Sequence, residues 1–254
     1  MIKKIVLVLI LCLFAAAAWA QEPAAFHHLY VGVNGGWAYN TLYTSNNDAY
    51  YSFTEHRAGN GFSVSIPVRY QFVPWFGLQV EPTFIQKNYS VHRTGYYSPI
   101  YNEWTNSFVD FPILANLSAG IPRLPALRVF VNAGGWLGVW ADSHIKGQGR
   151  LSNPNFASYV HSAKLEQYYQ YDEKVEFDSR RDNRFDGGLI IGVGFQYSLK
   201  ACTFNVECRY NYSLTDLQKN YMNEMVPKMN DTLVVQAGVA FNSAIFDIFK
   251  RGRK

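Results

Sequence analysis

An eight-stranded antiparallel up-and-down transmembrane β-barrel is the fold this sequence predicts, and three observations predict it. Apolar and polar residues alternate with period two in eight stretches of roughly ten residues each. The connections between those stretches alternate long and short without exception. The charged residues inside the stretches all fall on one parity, so each strand has a polar face and an apolar face.

The stretches are 29–38, 61–70, 77–86, 107–116, 127–140, 187–197, 203–212 and 232–241. Between them lie 22, 6, 20, 10, 46, 5 and 19 residues, as in a meander with tight turns at one rim and extended loops at the other. Both termini fall on the short-turn side. The first strand sets Leu29, Val31 and Val33 opposite Asn34, and the second sets Phe62, Val64, Ile66 and Val68 opposite Ser63, Ser65 and Arg69. The third sets Leu78, Val80 and Phe84 opposite Gln79 and Glu81; the fourth sets Val109, Phe111 and Ile113 opposite Asp110 and Asn116. The fifth is the least regular. Its Val129 and Val131 oppose Arg128 and Asn132, but Phe130, Trp136 and Trp140 share the polar parity, and a bulge near Gly134-Gly135 is expected to shift its register. The sixth sets Ile191, Val193 and Phe195 opposite Gln196, and the seventh sets Phe204, Val206 and Tyr210 opposite Asn205, Glu207, Arg209 and Asn211. The eighth sets Leu233, Val235, Val239 and Phe241 opposite Gln236.

The polar face is the lumen. A soluble barrel would turn it to water and stud it with Lys, yet the eight stretches contain no Lys. Their six charges, Arg69, Glu81, Asp110, Arg128, Glu207 and Arg209, share the polar face with Gly32, Gly192, Gly194 and Gly238, which save space in a narrow tube. Three acids against three bases predict salt bridges that plug the tube, with an ion gate as the rival reading and Arg128 or Arg209 as the partner of Glu81. Trp37, Tyr39, Tyr70, Trp75, Tyr197, Tyr210 and Tyr212 sit near strand ends, as interfacial girdles do.

Composition agrees. The 254 residues include 18 Tyr, 18 Phe and 6 Trp with only 17% charged, the reverse of a disordered or coiled-coil balance. Two lysines, an apolar run from Ile5 to Phe14 and the small-x-small Ala18-Trp19-Ala20 predict an export signal over 1–20. After it no stretch approaches the ~20 apolar residues of a spanning helix. The basic excess is small and concentrated in Lys250 to Lys254, so no nucleic-acid partner is expected. Cys202 and Cys208, six apart on one strand, lie about 20 Å from each other and do not pair.

Several strings resemble a known family. Leu78-Gln79-Val80-Glu81-Pro82-Thr83-Phe84-Ile85-Gln86-Lys87, Val109-Asp110-Phe111-Pro112-Ile113-Leu114, Phe185-Asp186-Gly187-Gly188 with Gly192-Val193-Gly194, and Glu207-Cys208-Arg209-Tyr210-Asn211-Tyr212-Ser213-Leu214-Thr215-Asp216 resemble, in order, strands of the PorT-like outer-membrane β-barrel family of Gram-negative bacteria. The resemblance implies an outer-membrane location and a small barrel; with the alternating connections, the expectation is a barrel at 21–241, long loops outside the cell, both termini in the periplasm and a periplasmic tail at 242–254. It implies outer-membrane lipid and the barrel-assembly machinery as partners, and does not fix an activity. Ser213 departs from the family's usual Gly.

No catalytic, cofactor or metal constellation is found. His56, His92, His144 and His161 lie in long connections without a recognised spacing to a nucleophile, and the side chains of His27 and His28 point oppositely in extended chain. The connections are instead rich in aromatics: Tyr96, Tyr97, Tyr101, Trp104, Tyr168, Tyr169 and Tyr171 form a candidate binding surface for an extracellular or envelope protein. The competing reading is that strands continue beyond the membrane as hairpins, where Tyr is simply favoured. The function expected is therefore non-catalytic, a surface interaction or envelope and secretion-assembly role, with a narrow pore or an outer-leaflet lipid enzyme as rivals.

Gln236, Gly238 and Phe241 form the pattern of a terminal strand read as an assembly signal, but the chain continues through Lys254. Ile245, Phe246, Ile248 and Phe249 suit a short amphipathic helix at the periplasmic interface; the rival is a longer last strand closed by Phe249. Deleting 243–254 should leave a barrel that still folds into the outer membrane, whereas Phe241→Ala in the full chain should impair assembly. The opposite pair of results, read by heat-modifiable gel mobility of membrane fractions, would move the closing strand.

Overall fold

In a computed structural model of the chain, the described residues are 28–43, 53–95, 98–150, 168–199, 202–219 and 228–242. The expected export signal, Tyr96, Tyr97, His161 and the tail after Asn242 lie outside them. The described residues form one antiparallel sheet of twelve strands: β1 (His28–Tyr43), β2 (Thr54–Ser65), β3 (Val68–Val73), β4 (Phe76–Val80), β5 (Thr83–Gln86), β6 (Tyr89–Arg93), β7 (Tyr101–Ile121), β8 (Leu124–Arg150), β9 (Tyr168–Lys174), β10 (Phe185–Ser198), β11 (Cys202–Ser213) and β12 (Met229–Asn242). β12 pairs with β1 from Asn242↔Tyr30 to Met229↔Tyr43, which closes the ring.

The twelve segments occupy eight positions around that ring, because prolines and one break at Lys87-Asn88 divide two staves and the connection 175–184 divides a third. β2 and β3 share one stave, and β4, β5 and β6 the next; β9 and β10 both pair with β8. Pro67 and Pro82 have no N–H to give the ladder, so the strands break there. Their carbonyls still accept, from Gly32 N at 3.0 Å and Ile66 N at 3.0 Å, and the wall stays hydrogen-bonded. The third break, at Lys87-Asn88, is bridged by Asn88, whose side chain donates to Asn60 O at 2.7 Å and accepts from Asn106 N at 3.0 Å.

Three expectations about the strands need correction. The strands on one side of the ring run well past their expected ends: β7 has 21 residues and β8 has 27. The expected 46-residue connection after Trp140 contains the last turn-ward part of β8 and all of β9, whose charged ends and adjacent tyrosines hid its alternation. No register shift occurs at Gly134-Gly135, where β8 pairs with β10 without interruption from Leu127 to Val139; the irregularities of the β7–β8 pairing lie at Ser107/Phe108 and Gly120/Ile121 of β7.

Phe130, Trp136 and Trp140 therefore do point inward, and glycines on the facing strand make room for two of them. A Cβ on Gly194 would stand 2.6 Å from the Phe130 ring, and one on Gly188 would stand 2.4 Å from the Trp136 ring. Large rings and absent side chains alternate across β8 and β10, so the tube is filled without widening.

The surface is inverted relative to a water-soluble protein. Val33, Ile113, Leu137, Leu189, Ile191 and Val206 each expose more than half of their surface, while Asn34, Asn40, Asn116, Asn132, Glu81 and Glu207 are buried. Apolar side chains form an outward band around the ring, and polar ones fill its axis. Cys202 and Cys208 are free thiols on β11, as their spacing requires.

Candidate functional site

The interior is built from the inward parity of every stave, and it is layered along the axis. The six charges expected to form one cluster separate into three groups. At the short-turn rim Arg69 donates to Gln196 Oε1 at 3.1 Å and lies over the Tyr30 ring at 4.9 Å. Arg128 donates to the carbonyl of Pro74 and to Ser118 Oγ at 3.1 Å. Neither meets Glu81; both cations serve the rim.

The middle layer is a carboxylate–guanidinium–carboxylate group. Arg209 Nη2 lies 2.8 Å from both Glu81 Oε2 and Glu207 Oε2. The remaining lone pairs are used: Glu81 accepts from Ser65 at 2.6 Å, Gln79 at 2.8 Å and Asn34 at 3.1 Å, and Glu207 accepts from Asn132 at 2.9 Å and Gln236 at 2.9 Å. Asn132 is held in turn by Asn116 at 2.7 Å. Six strands contribute donors to the two carboxylates, so the group ties opposite walls together. Burying ions is costly, and a complete donor set is what offsets the cost.

Above it lies a second ionic group that the sequence reading missed in part. Lys87 Nζ sits 2.8 Å from Asp110 Oδ2 and 2.6 Å from Asp186 Oδ2, and all three side chains are shut from solvent. Asp186 is further held by Thr215 at 2.8 Å and Ser213 at 3.0 Å. The ammonium also faces the Phe108 ring at 4.6 Å and the Trp136 ring at 5.1 Å, cation–π contacts that partly replace its hydration. Asp110 thus belongs with Lys87 instead of Glu81. Lys87 and Asp186 lay one residue beyond the expected strand ends. The signal was present: Glu81, Thr83, Ile85 and Lys87 share one parity, as do Asp186, Gly188 and Ile190.

A hydrophobic plug covers this layer. Ala38, Leu42, Ile85, Tyr89, Phe108, Trp140 and Val234 meet inside the tube, and Leu217 packs onto them from the connection after β11. Phe108 stacks on Trp140 at 5.9 Å between centroids, and Phe177, from the connection before β10, meets Trp140 edge-on at 4.9 Å. Arg184 pins that connection by donating to Trp140 O at 3.0 Å. Below the plug, the cavity beside Arg69, Gln196, Asn205 and Glu207 holds about 20 Å³, room for a single water.

The aromatic surface expected in the loops is mostly strand. β2, β6, β7, β8 and β9 extend beyond the plug as one sheet on one side of the ring. Within it Trp104 stacks on Tyr89 at 5.9 Å and Tyr101 on His92 at 5.7 Å, while the Tyr171 hydroxyl donates to Asn102. The Tyr169 and Tyr171 rings lie over Gly149 and Gly147, and Tyr169 remains exposed; Tyr168 begins the same strand. The sheet is polar outside the band. Its Asp142 is held below the usual carboxylate range by a hydrogen bond from Lys174, and Asp172 by one from His144. Gln236 of the expected assembly signal serves the middle layer, Gly238 stands against Asn34, and Phe241 faces outward. Among the described residues no cluster of His, Cys, Asp and Glu is arranged to hold a metal.

The sequence profile of the family described as outer membrane protein beta-barrel domain matches residues 19–219. No curated protein matches the chain. Among solved structures it is similar to Neisserial surface protein A, at 13% identity and a TM-score of 0.41 over 84% of this chain and 96% of that one. It is also similar to OprG of Pseudomonas aeruginosa, at 13% identity and 0.46 over 86% and 97%, and to the attachment invasion locus protein Ail of Yersinia pestis, at 14% and 0.34 over 84% and 97%.

The two ionic groups should differ from surface ion pairs in unfolding experiments. Glu81→Ala strands a buried Arg209 and should cost roughly 3 to 5 kcal/mol. Lys87→Met should cost a comparable amount by leaving Asp110 and Asp186 face to face, and Asp110→Asn in the same chain should recover part of it. Urea unfolding in lipid vesicles checks both; costs below about 1 kcal/mol, as for exposed pairs, would contradict the enclosed arrangement.

Proposed function

The chain belongs to the outer membrane β-barrel domain family and lies in the outer membrane, and we propose that it is an occluded, non-catalytic barrel of eight staves that displays an extracellular sheet as an interaction surface. The observation that carries this reading is the filled lumen. Two ionic groups span the tube and an aromatic plug covers them, so among the described residues the lining is of mixed sign and capped, unlike the single-sign lining a conducting pore uses. That filling supports the interaction reading over the pore rival.

In this reading the ends of β2, β6, β7, β8 and β9 face the outside of the cell and both ends of the barrel chain face the periplasm. The barrel-assembly machinery inserts it after an export signal over 1–20 is removed. The PorT-like strings lie on β4, β5, β7, β10 and β11, and they support a place in that branch of the family with a part in envelope or secretion assembly. An outer-leaflet enzyme finds less support. His144, which lies on β8, is engaged with Asp172 on an exposed face. The partner class proposed is an extracellular or envelope protein that meets the tyrosine-bearing strand β9.

Two measurements test this. The refolded protein in a planar bilayer should give no stepwise conductance, and a photo-crosslinking residue in place of Tyr169 should capture a protein from outside intact cells while one in place of the buried Tyr89 should not. Regular conductance steps, or equal labelling at both positions, would overturn the reading.

A further inference from the structure

The outward face carries a notch that the barrel's architecture does not require. Between β7, β8, β10 and the end of β11, Gly135 and Gly187 lack side chains, Gly187 being buried beside Leu137 and Phe185, and Ile113, Leu137, Phe185 and Leu214 line the depression they leave. The depression has a volume of about 420 Å³ and an almost wholly apolar lining. It interrupts the apolar band, so whatever fills it is continuous with the lipid that surrounds the band.

Directly along the chain from its walls lie two segments that bring cations together. Phe185 follows 178–184, and Leu214 opens 214–219; the two segments are joined by Lys219 N donating to Arg181 O at 3.0 Å and by the Asp182↔Gln218 bridge. They contain Arg180, Arg181, Arg184 and Lys219 against three acids. Each acid accepts backbone N–H groups. Asp178 accepts from Arg180 N at 2.9 Å, Asp182 from Asp178 N at 2.8 Å, and Asp216 from Gln218 N at 2.9 Å and Lys228 N at 3.1 Å. Arg180 and Arg181 are exposed, and Arg181 Nε also stands 3.6 Å from Asp182 Oδ1.

We infer that this face binds a phosphorylated glycolipid of the outer leaflet, with one acyl chain lying in the notch over Gly135 and Gly187 and a phosphate held by the exposed guanidinium groups of Arg180 and Arg181. The apolar pocket alone would accept any chain, and the arginines alone would attract any anion. Their succession at the end of the lipid-facing band selects a ligand with both parts. The inference rests on the outer-membrane orientation proposed above, and labelling of an Arg180→Cys variant by a membrane-impermeant thiol reagent on intact cells reads that premise separately.

The test uses the full chain in phosphatidylcholine vesicles doped with lipid A or with dephosphorylated lipid A, extracted into mild detergent, with retained lipid counted by native mass spectrometry. Wild type should retain lipid A about tenfold over phosphatidylcholine. The double substitution Arg180→Gln and Arg181→Gln should lower lipid A to the level of its dephosphorylated form. Ile113→Trp, which fills the notch, should lower retention of both, and Leu214→Trp serves the same purpose if that variant fails to show heat-modifiable mobility. Equal retention of all three lipids by the wild type, or retention unchanged in the filled and the neutralised variants, would overturn the site. So would a dimer of the wild type that Ile113→Trp dissociates, which would make the notch a contact between copies.

Discussion

A closed ring of strands with lipid outside gives every polar side chain of a stave one place to go, and the tube it enters is too narrow to hydrate them. The charges on the axis must therefore neutralise one another. Among the described residues four acids, Glu81, Asp110, Asp186 and Glu207, share the lumen with four cations, Arg69, Lys87, Arg128 and Arg209. The pairing is not uniform. Each of the two upper groups has a cation between two carboxylates, and the two remaining cations sit at the short-turn rim. Each group draws ligands from strands on opposite walls, so it acts as a cross-tie that the outward apolar band could not provide by itself.

The other features follow from that filling. Glycines appear on the inward parity where a ring or carboxylate occupies the axis: Gly188 for Trp136, Gly194 for Phe130 and Gly192 for Glu207. The aromatic plug around Phe108 and Trp140 keeps bulk water from the Lys87 group, within which Coulomb attraction and cation–π contact are strong because the surroundings are dry. The connections that carry Phe177 and Leu217 are in turn fastened over the plug by Arg184 and by the backbone bond from Asn183 N to Leu217 O. With its axis filled, the molecule has its outer wall and the sheet beyond the membrane left for contact with other molecules.

Much of this was legible in the sequence because parity is a strict rule in a barrel. Glu81, Glu207 and Arg209 were placed on the lumen by alternation alone, and the absence of Lys from the eight expected stretches separated a lipid-facing barrel from a soluble one. The same argument erred at strand ends. Lys87 and Asp186 fell one residue outside the expected limits, so the upper group was invisible, and Asp110 was given to the wrong cluster. Prolines at 67 and 82 divided staves that alternation read as continuous, since a missing N–H changes the ladder but not the parity. The extension of β7 and β8 and the strand β9 entered only as a competing reading of the aromatic connections, because strands beyond the membrane are polar on both faces, which removes the alternation that revealed the rest. Pairing across the tube, such as the choice of Arg209 over Arg128 for Glu81, depends on stagger between strands, and a single sequence carries little information about that.

The central claim is that Glu81 and Arg209 are coupled across a dry lumen. A double-mutant cycle with Glu81→Gln and Arg209→Met, measured by urea unfolding in lipid vesicles, tests it directly. The account predicts a coupling energy of at least about 2 kcal/mol, with the double variant nearer to wild type than the sum of the single losses. Additivity within about 0.5 kcal/mol would mean that the two groups are separately solvated and that the lumen is wet.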